Sequence, residues 1–176
     1  VISSEKEVKA LTQQVVIFDT DMGNDIDDAL ALQMLFNYHK KGDITLAGIT
    51  ISKSNPLAIS YVDGLCRFNG FNDMPLGYAY DGPNPENGNY LVPTLNAEVD
   101  GKPLLQPARS IDSNIPEGHE LLKELLERAE DGSVTLIAVG PLTNVSRLLE
   151  SEGGIELVSK KVSHVYVMSG EFKEIK

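Results

Sequence analysis

The chain has 176 residues, of which 41% are hydrophobic and 23% are charged, a composition typical of one ordinary globular domain. Its formal net charge of −11 argues against nucleic acid and against anionic membranes as partners, since both favour basic surfaces. The single cysteine, Cys66, excludes an internal disulfide, and its apolar helical surroundings predict a buried thiol. No stretch approaches the roughly 20 apolar residues of a membrane span, and no signal peptide pattern is present, so localisation is left open.

Strands and helices are predicted to alternate along the chain. A polar lead-in covers residues 1–14, and one domain covers residues 15–176. Short apolar, β-branched runs predict strands, and amphipathic runs with caps or glycine stops predict helices. Residues 81–115 are rich in Pro, Gly and Asn, which predicts a long loop that helps to bind a ligand. The predicted strands are 15–18, 44–52, 74–80, 134–139 and 164–168, and the predicted helices are 27–41, 55–68, 117–130 and 142–151.

This order predicts an α/β fold with a doubly wound, mostly parallel, Rossmann-like sheet. In such a sheet, ligands bind beyond the carboxyl ends of the strands. The loop after Phe18, residues 52–55, Gly140-Pro141 and Ser169-Gly170 all follow predicted strands. We therefore expect these four loops to converge on one crevice.

An aspartate cluster follows the first predicted strand. Ionised carboxylates that lie close together repel, and a bound cation removes that cost. Hard cations such as Ca²⁺ and Mg²⁺ prefer oxygen ligands, so the cluster predicts a divalent-metal site. The simpler alternative is a solvated loop whose last two aspartates interact with the dipole of the following helix. An EF-hand is excluded, because Asn24 and Leu30 stand where its loop requires Gly and Glu. The cluster consists of Asp19, Asp21, Asp25, Asp27 and Asp28.

The segment VVIFDTDMGNDIDDALAL resembles the N-terminal signature of the inosine-uridine preferring nucleoside hydrolase family. LAGITISKSNP, LIAVGPLTNVSRLL and VYVMSGEF resemble three further segments of that family in the expected order, so the resemblance spans about residues 15–172. The family cleaves the N-glycosidic bond of ribonucleosides to free base and ribose, using a tightly bound Ca²⁺ and a metal-held water. The resemblance thus implies a nucleoside N-ribohydrolase fold, a ribonucleoside substrate, a Ca²⁺ cofactor and a possible homo-oligomer.

The resemblance also implies residue roles at the metal. Asp21 matches the metal ligand that takes the proton from the water, and Asp28 matches the second metal carboxylate. The main-chain carbonyl of Val139 matches a further metal ligand.

Substrate and supporting roles follow in the same way. Asp27 and Asn55 match contacts to ribose hydroxyls, and Met168 matches a residue that lines the ribose pocket. Asp19 matches a supporting residue. This signature has two extra residues between Gly23 and the aspartate pair, so Asp25 competes for the roles of its neighbours.

The chain departs from the family by being apparently truncated after the fifth strand. The family continues further and supplies there a late metal aspartate, an asparagine/glutamate ribose-binding segment and, in many members, a histidine near the leaving base. We therefore expect a fragment, or a chain completed by a C-terminal second chain, with apolar surface exposed beside the last strand.

Other functions stay open on the sequence. A haloacid dehalogenase-type Mg²⁺ phosphatase also places DxD after an apolar strand, with Asp19 as nucleophile and Asp21 as acid/base, but leaves Asp27, Asp28 and GPLTN unexplained. A nucleoside- or ribose-binding module would keep the pocket without turnover. A calcium-stabilised structural domain would respond to Ca²⁺ but not to a ligand.

Overall fold

The computed structural model describes residues 14–83, 86 and 88–169. Its elements alternate as predicted, and most predicted strands and helices are present within a few residues of their expected ends. In chain order they are β1 (Gln14–Thr20), α1 (Asp27–Lys41), β2 (Ile44–Ile51), α2 (Ala58–Phe68), β3 (Leu76–Tyr78), α3 (Leu91–Leu95), β4 (Glu98–Val99), β5 (Lys102–Pro103), α4 (Gly118–Arg128), β6 (Val134–Ala138), α5 (Thr143–Glu150), α6 (Gly154–Lys161) and β7 (Val162–Val167).

The main sheet has five strands in the order β3-β2-β1-β6-β7, and all of its pairings are parallel. β1 is central, between β2 and β6. The chain winds outward from β1 through β2 to β3, and then returns to the other side of β1 for β6 and β7. The predicted doubly wound α/β fold is therefore confirmed, and the point where the winding changes direction lies between β1 and β6.

Alternate side chains of β1 pack into two separate cores, one on each face of the sheet. Val16 and Phe18 belong to the core that also contains buried residues of α1 and α2. Ile17 belongs to the other core, with Leu122 of α4 and Leu148 of α5. Because neighbouring strand residues point to opposite faces, an uninterrupted apolar strand fills both cores.

Three local expectations differ from the structure. β1 extends through Asp19 and Thr20, which were expected in the loop, because their backbone continues the pairing with β2. Residues 81–115 are not a structureless loop, since they contain α3 and the short antiparallel hairpin of β4 and β5. The helix α6 was not predicted at all. Its start at Gly153-Gly154 looks like a linker in the sequence.

β7 is an edge strand with exposed apolar side chains. Tyr166 is 59% exposed and Val165 is 48% exposed, in contrast to the buried strands at the centre of the sheet. Cys66 is fully buried in α2, as predicted. Within the described residues, no helix is long and apolar enough to cross a membrane.

Candidate active site

Asp19 lies at the end of β1 and is completely buried. Its Oδ1 accepts hydrogen bonds from Oγ1 of Thr50 on β2, at 2.5 Å, and from Nδ2 of Asn144 on α5, at 2.8 Å. Its Oδ2 has no partner in the described part of the chain. Burial raises the pKa of Asp19 to about 7, although the hydrogen bonds from Asn144 and Thr50 oppose the rise. Asp19 thus joins three elements at the carboxyl edge of the sheet.

Asp28 lies in the first turn of α1 and is 2% exposed. Its pKa is raised to about 8, first by burial and then by the negative charge of the neighbouring Asp21. The Oδ2 atom of Asp28 has no hydrogen-bond partner among the described residues. A buried carboxylate oxygen without a donor, beside a second carboxylate, is the arrangement that a bound cation stabilises.

Asp21 lies in the loop between β1 and α1 and is partly exposed. Its Oδ2 accepts a long hydrogen bond of 3.4 Å from Nδ2 of Asn24. The end of β6 approaches it closely: a side chain on Gly140 would place its Cβ 2.7 Å from both the Cβ and the backbone nitrogen of Asp21. Glycine at this position lets the backbone just beyond β6 lie directly against Asp21.

Asp25 and Asp27 lie on the exposed side of the same loop. Oδ1 of Asp27 accepts a hydrogen bond from the backbone N–H of Asp28 at 3.1 Å, which fixes the start of α1. The pKa of Asp25 is raised, chiefly by Asp27 beside it. The structure therefore brings Asp21 and Asp28 side by side and leaves Asp25 and Asp27 exposed to solvent.

The three remaining predicted residues lie at the ends of β2, β6 and β7. Asn55 is fully buried, and its Oδ1 accepts the backbone N–H of Leu57 at the start of α2. The N–H of Val139 donates to the carbonyl of Asp19 at 2.9 Å, so the end of β6 stays aligned with β1. Met168 is 56% exposed beyond β7. The Asn55 side chain is therefore buried and hydrogen-bonded within the protein, whereas Met168 lies at the exposed edge of the sheet.

A second segment, residues 88–91, closes over the aspartate loop. The backbone N–H of Gly23 donates to the hydroxyl of Tyr90 at 3.0 Å, and the Gly23 carbonyl accepts the N–H of Gly88. Gly23 has a φ of +121°, which favours glycine, and Leu91 packs against it. Nδ2 of Asn55 adds a hydrogen bond of 3.4 Å to the backbone of residue 86. The predicted binding loop therefore contacts the candidate metal loop directly.

Sequence reasoning missed several of these contributors. Asn144 could have been found, because it is the last residue of GPLTN and follows a strand that ends at the same edge. The contact of Thr50 with Asp19 depends on the register of the parallel pairing between β2 and β1, which the sequence alone does not determine. No local pattern points to Tyr90, because its contact with Gly23 spans 67 residues.

The donor set suits a hard cation but is incomplete within the described residues. No group of three or more His, Cys, Asp or Glu side chains there could hold a metal ion. Two carboxylates, Asp21 and Asp28, and the main-chain carbonyl of Val139 are the protein ligands that the sequence predicts for the ion. Calcium takes roughly 6–8 oxygens, so water, substrate or further protein groups would supply the others. Two surface cavities, of about 310 and 280 Å³, lie elsewhere, around Phe68 and Phe71, and neither is lined by these aspartates.

The fold and this site define an α/β protein with a cluster of aspartates at the carboxyl edge of a parallel sheet, at the point where the winding reverses. The family model of the inosine-uridine preferring nucleoside hydrolases matches residues 16–175. The chain therefore belongs to the inosine-uridine preferring nucleoside hydrolase family, which is a family of glycosidase enzymes.

Known relatives agree with this assignment. Uridine nucleosidase 1 of Arabidopsis thaliana is 29% identical over 167 residues, an alignment that covers 89% of this chain and 45% of the relative. The inosine-uridine preferring nucleoside hydrolase of Bacillus anthracis shares the fold with a TM-score of 0.66 at 23% identity, covering 92% of this chain and 52% of that one. The plant nucleoside hydrolase PpNRh1 has a TM-score of 0.66 at 21% identity, covering 90% and 48%. The chain thus spans about half the length of the relatives that it matches.

Proposed function

We propose that this chain carries the cation-binding half of a nucleoside N-ribohydrolase, which cleaves the N-glycosidic bond of ribonucleosides to free base and ribose. The observation that carries the proposal is the pair Asp21 and Asp28, brought side by side at the strand edge with a buried, unpartnered carboxylate oxygen. Family membership supports the reaction class, and the relative named as a uridine nucleosidase supports a nucleoside as substrate.

In this proposal Ca²⁺, when bound, supplies a Lewis acid that lowers the pKa of a water and orients the ribose. Asp21 and Asp28 would hold the ion, together with the carbonyl of Val139. Asp21 would also accept the proton of the attacking water, because it is the less buried residue of the pair. Departure of the base leaves positive charge on the ribose, which the neighbouring carboxylates stabilise.

Other residues have supporting parts. Asp27 lies at the rim of the crevice, where it can contact a ribose hydroxyl, and Met168 borders the open edge beyond β7. The amide of Asn55 donates to the backbone of residue 86, so its contact with a ribose hydroxyl requires that this hydrogen bond break. Asp19 holds β1, β2 and α5 together through its hydrogen bonds with Thr50 and Asn144.

The test is release of reducing sugar from inosine and uridine, with Ca²⁺ and with a chelator. We expect calcium-dependent release that falls at least about 100-fold in Asp21→Asn, the loss expected when a general base is removed. Asp43→Asn is the matched control, since Asp43 is an exposed aspartate outside the cluster. Calcium-independent release, or full activity in Asp21→Asn, would overturn the assignment of Asp21.

The second candidate is a nucleoside- or ribose-binding module without turnover. It is favoured by the small number of carboxylate ligands in the described part of the chain and by the half-length match to the relatives. Isothermal titration with inosine and ribose separates the two, because binding without sugar release supports the module. We do not propose the phosphatase, because the Asp19 carboxylate is fully buried and bonded to Thr50 and Asn144, where it cannot attack a phosphate.

We propose in addition that the protein acts with a second chain, which is either another copy in a homo-oligomer or a C-terminal chain that completes the domain. The apolar side chains exposed on β7 support an additional protein contact there. Size-exclusion chromatography with light scattering measures the mass directly, and a monomer with full activity would exclude both arrangements.

A further inference from the structure

Lys53 is a charged side chain that lies inside the protein, two residues beyond the end of β2. It is 1% exposed, whereas lysine is almost never fully buried unless its charge is compensated. Its Nζ donates a hydrogen bond of 2.7 Å to Oδ1 of Asn24, which is neutral. Lys53 forms no ion pair with a carboxylate among the residues that the structure describes. Its charge must therefore be compensated at longer range.

Asn24 shows which negative charge Lys53 is connected to. While Oδ1 of Asn24 accepts from Lys53, its Nδ2 donates to Oδ2 of Asp21 at 3.4 Å. One amide and two hydrogen bonds thus connect the ammonium to the carboxylate that we place at the cation. Arg109 and Arg147, by contrast, are paired with carboxylates outside the aspartate cluster, those of Asp63 and Asp81 respectively. The aspartate cluster is the group of negative charge to which Lys53 is joined.

We propose that Lys53 is the internal counter-ion of the aspartate cluster, and that its fixed charge lowers the affinity of the site for a divalent cation. This inference rests on the proposed cation site and names the residue that tunes it. Both effects come from one Coulombic interaction. Without a cation, the ammonium offsets part of the repulsion between Asp21 and its neighbours. With a cation, it would repel the ion, because only the amide of Asn24, through hydrogen bonds of 2.7 and 3.4 Å, separates the ammonium from the carboxylate of Asp21.

A purely structural role makes a different prediction. If Lys53 only fixed the amide of Asn24, and through it Asp21, then any substitution would disorder the site and weaken cation binding. A counter-ion has the opposite effect, because a neutral residue in its place strengthens cation binding. Lys53→Gln separates the two roles, since glutamine keeps an N–H donor for Oδ1 of Asn24 but removes the charge. Lys53→Arg keeps the charge.

The experiment is calorimetric titration of the metal-free protein with Ca²⁺ at about pH 9, above the pKa of about 8 of Asp28, so that protons compete little with the ion. We expect the Ca²⁺ dissociation constant to fall roughly five- to tenfold in Lys53→Gln, the size of a screened interaction between a single and a double charge. It should be unchanged in Lys53→Arg. Lys161→Gln is the matched control, because Lys161 is also largely enclosed but pairs with Asp131, away from the cluster.

Melting temperatures give a second, independent measurement. The metal-free Lys53→Gln protein should melt lower than the wild type, and Ca²⁺ should raise its melting temperature by more than it raises that of the wild type. If Lys53→Gln does not fold without metal, Lys53→Met is used in the same assay, because it replaces the lysine side chain with an uncharged, apolar side chain of similar length. Weaker or unchanged Ca²⁺ binding in the neutral variants overturns the counter-ion. Absence of Ca²⁺ binding in the wild type instead overturns the cation site itself, so the two failures are distinguishable.

Discussion

The buried carboxyl group of Asp28 should make the metal-free protein less stable as the pH rises. Its pKa is raised to about 8 by burial and by Asp21, against 3.8 for an exposed aspartate. A group whose pKa is higher in the folded protein contributes stability that is fully present below its unfolded pKa. That stability is lost as the pH rises through the folded pKa. The contribution of Asp28 is therefore complete below about pH 4 and gone above about pH 8.

The size of the effect follows from the same values. The interval between 3.8 and about 8 corresponds to roughly 6 kcal/mol of unfolding free energy when Asp28 is ionised in the folded protein. Asp28→Asn removes that cost but buries an amide donor without a partner, which costs about 1–3 kcal/mol. We therefore expect the metal-free variant to be about 3–5 kcal/mol more stable than the wild type at about pH 9. Near pH 4, where Asp28 is protonated in both states, the variant should be about 1–3 kcal/mol less stable than the wild type.

Urea unfolding at several pH values, with a chelator present, measures this difference. Asp43→Asn is the control, because Asp43 is exposed and its loss should leave the slope of stability with pH unchanged. Added Ca²⁺ should reverse the order of the two proteins, since the variant loses a cation ligand. The reasoning is refuted if the wild type gains stability from about pH 5 to about pH 9, or if Asp28→Asn is the less stable protein at about pH 9.

Three further predictions concern residues around the site and the core. Asp63→Asn should lower the free energy of unfolding, measured in urea, by about 3 kcal/mol, because Asp63 is fully buried and paired with Arg109 at 2.7 Å. A decrease of less than about 1 kcal/mol would contradict this. Gly23→Ala should lower the free energy of unfolding by about 1–3 kcal/mol and weaken Ca²⁺ binding in calorimetry. The reason is that its Cβ would lie 2.5 Å from Nδ2 of Asn55, in a backbone with a positive φ. A Ca²⁺ affinity equal to that of the wild type would contradict this prediction. Cys66 should not react with a thiol reagent until the protein unfolds in urea, because it is buried and its pKa is raised to about 12. Rapid labelling of Cys66 in the folded protein would refute this prediction.

The sequence was informative where the signal is local. The apolar run of β1 and the aspartates after it lie within fifteen residues, so both the strand and the candidate metal loop could be predicted together. The alternation of strands and helices also predicted a parallel, doubly wound sheet, because each crossover needs a helix. Cys66 was predicted to be buried from its apolar helical neighbours, and it is.

The sequence was uninformative where the structure depends on distant pairs. Asp19 was expected in a polar loop, but the strand carries it into the interior, where Thr50 and Asn144 donate to it across 31 and 125 residues. α6 was missed because glycines begin it and Leu157 and Val158 are its main apolar contacts with the core, too few for a clear helical period. The enclosure of Lys53 was also invisible, because a lysine in a polar stretch normally predicts an exposed side chain.

The position of the aspartates in the fold explains why they follow β1 and no other strand. β1 is the strand at which the winding changes direction, so the loops that leave β1 and β6 diverge to opposite faces and open a crevice between them. Only there can groups from both sides converge: Asp28 comes from the helix on one face, and Asn144 comes from the helix on the other. Carboxylates after an outer strand would meet fewer partners and more solvent, and their pKa values would rise less. The burial of Asp19 and Asp28, and with it their raised pKa values, is therefore a consequence of the sheet order.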